Sequence, residues 1–307
     1  MESNFTRLQQ PDGHQVKLFT YQTSAADVLG SILILHGMAE HHERYLEFIH
    51  VLNQEGFDVY TYDHRGHGTD KKISELGFFA KKGGADLVIN DAVSACSYIA
   101  ANGRSKKLAV FGHSMGSLIL RNLIQRYDSM DCVIVCATTM PPVAVSNVGI
   151  FISSLLCLFQ GHKKQSKFMD KTLFGGKEYS SLCTRTSCDW LTRNNTIVGQ
   201  YISDPYCGFI CTNSFYRDLI RLSKWAAQKK KIQKTRKDLP VYFLAGDKDP
   251  VGGYSVQVKQ LHQLFQKLGF RDTSITIYPE ARHELLNELN AAEVMTDAVA
   301  FFHKQLG

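Results

Sequence analysis

The chain has 307 residues, 44% of them hydrophobic, with a net charge of +6. That length holds one large core, or one core carrying an insertion, and the modest charge comes without any nucleic-acid motif. No uninterrupted apolar run reaches the roughly 18 residues of a membrane span, so none is expected.

The opening segment MESNFTRLQQPDGHQ lacks the apolar core of a secretory signal, which points to a cytoplasmic, reducing location. The eight cysteines fit free thiols in apolar surroundings such as DCVIVCATT. Cys183 with Cys188, or Cys207 with Cys211, lack histidines at ligand spacing, so no metal is expected.

In chain order, segments near 4–9 and 15–21 alternate in polarity and predict an antiparallel hairpin turned by Asp12-Gly13. The runs SILILH (31–36), FDVYTYD (57–63), KLAVFGH (107–113), DCVIVCATT (131–139), PVYFLAGD (240–247) and TSITIYP (273–279) predict strands covered on both faces. Helical patterns lie between them near 44–55, 85–102, 115–127 and 255–269, with a last one near 289–305. Strands alternating with helices imply an α/β fold: a mostly parallel eight-stranded sheet with helices on both faces.

The alternation breaks between 141 and 237, which opens with Pro141-Pro142 and holds no strand-like run. The expected organisation is therefore a core of 1–140 and 238–307 with a helical cap at 141–237. The first cap helix, 148–159, sets Phe151, Ile152, Leu155, Leu156 and Phe159 along one side, which suits core packing or the underside of a lid. Basic stretches at 163–167 and 224–237 are solvated helix faces on the plain reading. They also suit transient contact with anionic lipid headgroups at a membrane surface.

The most informative segment is KLAVFGHSMGSLILRNLIQRY (107–127). A strand runs into Gly112-His113-Ser114-Met115-Gly116 and a helix starts at once, the setting of a nucleophile elbow. A serine hydroxyl needs a base to take its proton, and a sharp turn lifts Ser114 to where one can reach it. Side chains at Gly112 or Gly116 would clash with the neighbouring strand or helix.

A base and its orienting acid should then follow on loops after later strands. His283 follows TSITIYP, and Asp249 follows PVYFLAGD; Asp249 is preferred to Asp247 because the loop has room to turn back there. The charge developing on a substrate carbonyl needs backbone donors. These are the N–H of Met115 and that of Met38 in His36-Gly37-Met38-Ala39-Glu40, where Gly37 is expected to allow the turn.

HGMAEHHERY (36–45), YDHRGHG (62–68), GHSMGS (112–117), GDKDPVG (246–252) and ARHELLNE (281–288) together resemble monoacylglycerol lipases and the related lysophospholipases of the α/β-hydrolase fold. The likeness spans the core; in the cap only DPYCGF (204–209) is similar. It implies Ser114, Asp249 and His283 as catalytic triad, Met38 and Met115 as oxyanion donors, and no metal or organic cofactor. Glu40 and Arg44 either support the pocket wall near a glycerol headgroup or form a structural ion pair, and His113 either touches the headgroup or braces the elbow. Asp63, Arg65 and His67 read as loop scaffolding.

The expected activity is hydrolysis of single-chain lipid esters, small-molecule substrates such as monoacylglycerols or lysophospholipids. Two alternatives stay open. A prolyl-type aminopeptidase on the same fold would need an acidic cluster in the cap, where Asp189 and Asp204 stand isolated. A catalytically silent ligand-binding fold would normally lack a triad member.

Overall fold

In the computed structural model, residues 4–307 are described. The hairpin β1 (Asn4–Gln9) and β2 (Gln15–Tyr21) forms one edge of an eight-stranded sheet. The remaining strands are β3 (Gly30–Leu35), β4 (Phe57–Thr61), β5 (Leu108–His113), β6 (Cys132–Cys136), β7 (Val241–Gly246) and β8 (Thr273–Tyr278), in the order β1-β2-β4-β3-β5-β6-β7-β8. β2 is antiparallel to β1 and β4, and every other pairing is parallel.

Strands β3 to β7 are buried on both faces, as their apolar runs predict, whereas β8, expected to be covered likewise, is the edge strand and is only partly buried. Leu33 and Leu35 pack with Val88, Val110 and Leu120 on one side, while Ile32 and Ile34 pack with Phe48, Phe111 and Phe302 on the other. Helices cover the two faces: α1 (Leu46–Gln54) and α11 (Ala291–Leu306) on one, α2 (Gly84–Asn102), α3 (Met115–Leu123) and α10 (Val256–Lys267) on the other. α1 begins later than its sequence pattern because residues His42–Tyr45 form a tighter 3₁₀ turn. α3 stops at Leu123, short of the expected 127.

Between β6 and β7 lie α4 (Val143–Gln160), α5 (Lys167–Phe174), α6 (Lys177–Ser180), α7 (Asn195–Ser203), α8 (Asn213–Ala227) and α9 (Lys229–Ile232). Side chains start three of them. Ser166 accepts from Met169 N, Asn194 from Thr196 N and Ile197 N, and Thr212 from Phe215 N. The basic stretch 224–237 is split by the break at Gln228.

Two expectations about the first of these helices need correction. α4 starts at Val143, five residues early, and its 18 residues have a mean hydropathy of 1.8 with 17% of the segment buried. By length and composition it is apolar enough to cross a membrane, although polar Ser and Asn residues interrupt the run. Nor do its apolar residues share one environment. Ile152 and Leu156 pack inward, whereas Phe151, Leu155 and Phe159 face outward, Phe151 being 64% and Phe159 79% exposed. α4 lies along α8, and a Cβ on Gly149 would come within 2.9 Å of Ile220 Cδ1, so the two helices sit close there.

Candidate active site

The parallel register aligns the C-terminal ends of β3, β5, β7 and β8 along one sheet edge, with Leu35 opposite Gly112 and Gly246 opposite Tyr278. The chain leaves each end in a loop that carries one part of the site. Ser114 sits at φ 51°, ψ −116°, a conformation rarely adopted by residues with a side chain. The two elbow glycines are required by space. A Cβ on Gly112 would lie 2.7 Å from Gly116 O, and one on Gly116 would lie 2.1 Å from Leu35 O, on the neighbouring strand.

His283 Nε2 stands 2.9 Å from Ser114 Oγ, and His283 Nδ1 stands 3.0 Å from Asp249 Oδ2. Asp249 is fully buried, so its carboxylate fixes the tautomer: Nδ1–H donates to Asp249, and Nε2 is left to accept the serine proton. The other candidate acid, Asp247, has a buried Oδ1 without a partner and does not meet His283.

Burial lowers the pKa of His283. The opposing charge and hydrogen bond of Asp249, helped by Glu284 and Glu40, overcome this and raise it above the ordinary 6.5. His113 packs at 5.0 Å, ring centre to ring centre, on the same imidazole. Burial and the neighbouring His283 push its pKa down to about 3, so it remains neutral.

The turn bearing Met38 is held on both sides. Gly37 N donates to Glu40 Oε1 at 2.5 Å, and Ala39 N donates to His67 Nε2 at 3.1 Å, while the intervening Met38 N–H makes no hydrogen bond among the described residues. The left-handed residue is Ala39, at φ 52°, and not Gly37 as the sequence suggested. Gly37 is needed for room, since its Cβ would lie 2.6 Å from Glu40 Oε1. His67 keeps its accepting nitrogen because burial pushes its pKa down to about 4 while Nδ1 bonds Arg65 O at 3.0 Å. Met115 N opens α3 beside Ser114, at the positive end of that helix.

Glu40 and Arg44 lie beneath this turn rather than along the cavity wall. Arg44 bonds Glu40 Oε2 at 2.9 Å and both carboxylate oxygens of Glu284, and Tyr45 OH donates to Glu40 Oε1 at 2.7 Å. Sequence reasoning missed Glu284, whose only signal was its place directly after His283. His113 is likewise off the cavity wall and braces the elbow against Tyr45 and His283. The scaffolding residues hold loops: Asp63 accepts from His42 N, and Arg65 joins Asp91 to Asp12.

Ser114, Met38 and Met115 open on a cavity of about 470 Å³. Its far walls are Val145, Ile152, Met169, Phe174 and Ile220, from α4, α5 and α8. None of its lining residues is charged. His41, Asp204 and Cys207 set one donor atom each within 4.8 Å of one another. His41 Nε2 is already bonded to Asp204 at 2.9 Å, and the Arg44 charge bears on Cys207, so a cation there would meet a fixed positive group.

A family model described as serine aminopeptidase, S33, matches residues 26–290. The chain belongs to that serine hydrolase family. Among its curated relatives is a monoacylglycerol lipase of Mycolicibacterium smegmatis, 24% identical over 91% of that protein and 92% of this chain. Solved structures with this fold include a thermostable carboxyl esterase from Bacillus coagulans in complex with glycerol, with a TM-score of 0.90 at 24% identity and full coverage of both chains. Another is a soluble variant of monoglyceride lipase from Saccharomyces cerevisiae with a substrate analog, with a TM-score of 0.77 at 19% identity, covering all of this chain and 96% of that one. This S33 hydrolase therefore shares the α/β-hydrolase fold with esterases and lipases.

Proposed function

We propose that this serine hydrolase cleaves carboxylic esters of single-chain lipids through an acyl-enzyme, with Ser114 as nucleophile, His283 as base and Asp249 as its orienting acid. The observation that carries this reading is the uncharged cavity of about 470 Å³ that opens on Ser114. Ser114 Oγ attacks the acyl carbonyl as His283 Nε2 takes its proton, and the oxyanion is bound by the N–H groups of Met38 and Met115. His283 returns the proton to the departing alcohol. Water, deprotonated by the same imidazole, then releases the fatty acid and restores Ser114.

The absence of charge along the wall favours a neutral alcohol such as glycerol over a phosphate-bearing headgroup, which would need Arg or Lys partners. It also disfavours an aminopeptidase substrate, whose free ammonium needs a carboxylate. Asp189 is held by Thr186 and Arg185, Asp204 is held by His41, and neither lines the cavity.

The segment 141–237 acts in this reading as a cap over the site, and its α4 rests against the lipid surface that holds the substrate. Phe151, Leu158 and Phe159 face outward on α4, Gly149 and Ile152 wall the cavity, and the exposed Val145 and Val148 lie at its edge and line it too, so one helix meets both bilayer and acyl chain. The eight cysteines are unpaired, which supports a reducing compartment.

The test is hydrolysis of monoacylglycerols, lysophosphatidylcholine, acetyl esters and prolyl amides side by side, with fluorophosphonate labelling of the wild type and Ser114→Ala. Monoacylglycerols should be cleaved fastest and the label should vanish in Ser114→Ala. Faster cleavage of prolyl amides would overturn the substrate assignment, and faster cleavage of lysophosphatidylcholine would overturn the neutral-headgroup preference.

A further inference from the structure

His283 touches the helical segment between β6 and β7 as well as the core. Trp190 packs on its imidazole at 5.3 Å between ring centres, tilted by 40°, on a different element from His113. The indole is itself held in a cage. Phe174 stacks on it at 6.1 Å with the rings 8° from parallel, and Tyr179 meets it edge-on at 5.2 Å. Phe174 and Tyr179 both line the cavity, so one chain of ring contacts runs from the acyl wall to the base.

The loop carrying Trp190 is built to keep it there. Asp189, directly before it, is buried and accepts from Arg185 N at 2.7 Å, Thr186 N at 3.0 Å and Thr186 Oγ1 at 2.6 Å, which closes the turn from within. On the far side the loop is sewn to the segment bearing the base. Glu284 N donates to Leu191 O at 2.7 Å, Thr192 Oγ1 to Asn287 O at 2.8 Å and Arg193 Nε to Glu288 Oε2 at 2.8 Å, and Arg282 Nη1 reaches Asp189 O.

We propose that Trp190 is a positioning residue for the hydrolytic reaction: it fixes the imidazole plane of His283 between Ser114 and Asp249 and keeps water off the ring. The role rests on the triad reading above. It divides the cap by function. Residues 185–193 move with the base, while α4 and α5, which wall the acyl cavity, are free of these bonds.

Displacing a reacting group by about 1 Å is enough to cost on the order of a hundredfold in rate. Replacing Trp190 by Ala should therefore lower kcat by tenfold or more, with KM within about twofold. Trp190→Phe, which keeps a ring against the imidazole, should recover most of the loss and guards against a misfolded alanine variant.

A second readout reports the contact itself. The chain has two tryptophans, and Trp225, on α8, does not line the cavity. In Trp225→Phe the emission comes from Trp190 alone, and an imidazolium quenches an indole it touches more than a neutral imidazole does. The charged and titratable groups around the pair are Asp249, Glu284, Glu40, His113 and Arg44 on the His283 side, and Tyr179, Cys188, Asp189 and Arg282 on the Trp190 side. Emission should titrate with the midpoint of the kcat/KM profile, and His283→Gln should abolish the transition.

Emission that ignores pH, or a transition that survives His283→Gln, overturns the contact. An unchanged kcat in Trp190→Ala sinks the positioning role alone, as does a loss that falls on KM. A Ser114→Ala variant that keeps its fluorophosphonate label sinks the nucleophile assignment and the positioning role with it.

Discussion

Arg44 grips Glu284 through two parallel hydrogen bonds of 2.6 and 2.7 Å, and so ties the turn that presents Met38 N–H to the residue beside His283. The same guanidinium holds Glu40, which in turn holds Gly37 N. One cation thus bridges two buried carboxylates and keeps the proposed oxyanion donor in register with the proposed base. Removing it strands both charges. Arg44→Ala should cost about 3–5 kcal/mol, the usual penalty for breaking a buried pair from one side, read as a fall in the denaturation midpoint. Arg44→Lys should recover only part, because an ammonium cannot make the two-pronged contact. A fully stable Arg44→Ala would show that water reaches and solvates the two carboxylates.

The pH profile tests the electrostatics of His283. The proposed base would work only when neutral, and its pKa is raised above the ordinary 6.5, so kcat/KM should climb with pH with a midpoint above 6.5. Stability runs the other way. A raised pKa means that the fold favours the imidazolium, so this contribution is complete below 6.5 and fades as pH rises through the folded value. Asp249→Asn should move the activity midpoint down and cut kcat by about 10⁴, the scale of losing the orienting carboxylate in a serine triad. An unchanged midpoint in that variant would mean that Glu284 and Glu40, not Asp249, set the shift.

Much of this arrangement was legible in the chain because its signals are local. A strand buried on both faces must be apolar throughout, so β3 to β7 were readable, and the residues just beyond β5, β7 and β8 inherit their placement from the strands. What was hidden depends on distant or irregular contacts. Arg44 and Glu284 are 240 positions apart, and no local pattern announces their pairing. Trp190 sits in a loop stretch of 181–194 that has neither helical nor strand periodicity. α4 is apolar nearly all round, and a period cannot say which face of such a helix turns outward. The turn after β3 misled because glycine suggests a left-handed residue, whereas Gly37 is small to admit Glu40 and Ala39 takes the positive φ.

The elbow glycines give a steric prediction. Gly116→Ala would drive a methyl group to 2.1 Å from the Leu35 carbonyl oxygen, backbone against backbone, with no flexible side chain to yield. Gly112→Ala meets Gly116 O at 2.7 Å, a milder conflict within the same turn. Overpacking of this kind costs about 1–3 kcal/mol where the surroundings can shift. Gly116→Ala should exceed that range and appear as insoluble or unfolded protein, with Gly112→Ala folded but destabilised. Equal stability of the two variants by thermal denaturation would mean that α3 slides away from β3 more easily than the strand pairing suggests.

The proposed acyl cavity makes the last prediction quantitative. Each methylene moved from water into an apolar wall is worth about 0.8 kcal/mol, or roughly fourfold in kcat/KM. Along a series of saturated monoacylglycerols the rate should climb by about that factor per carbon, then level off where the cavity ends. Ile152 stands on the wall formed by α4, packed inward. Ile152→Trp fills part of the space without touching Ser114 or His283, so it should move the plateau to shorter chains and leave butyryl ester turnover unaffected. If the plateau stays put while all chain lengths slow together, the acyl chain runs along another wall, and Leu219 and Ile220 on α8 become the residues to fill.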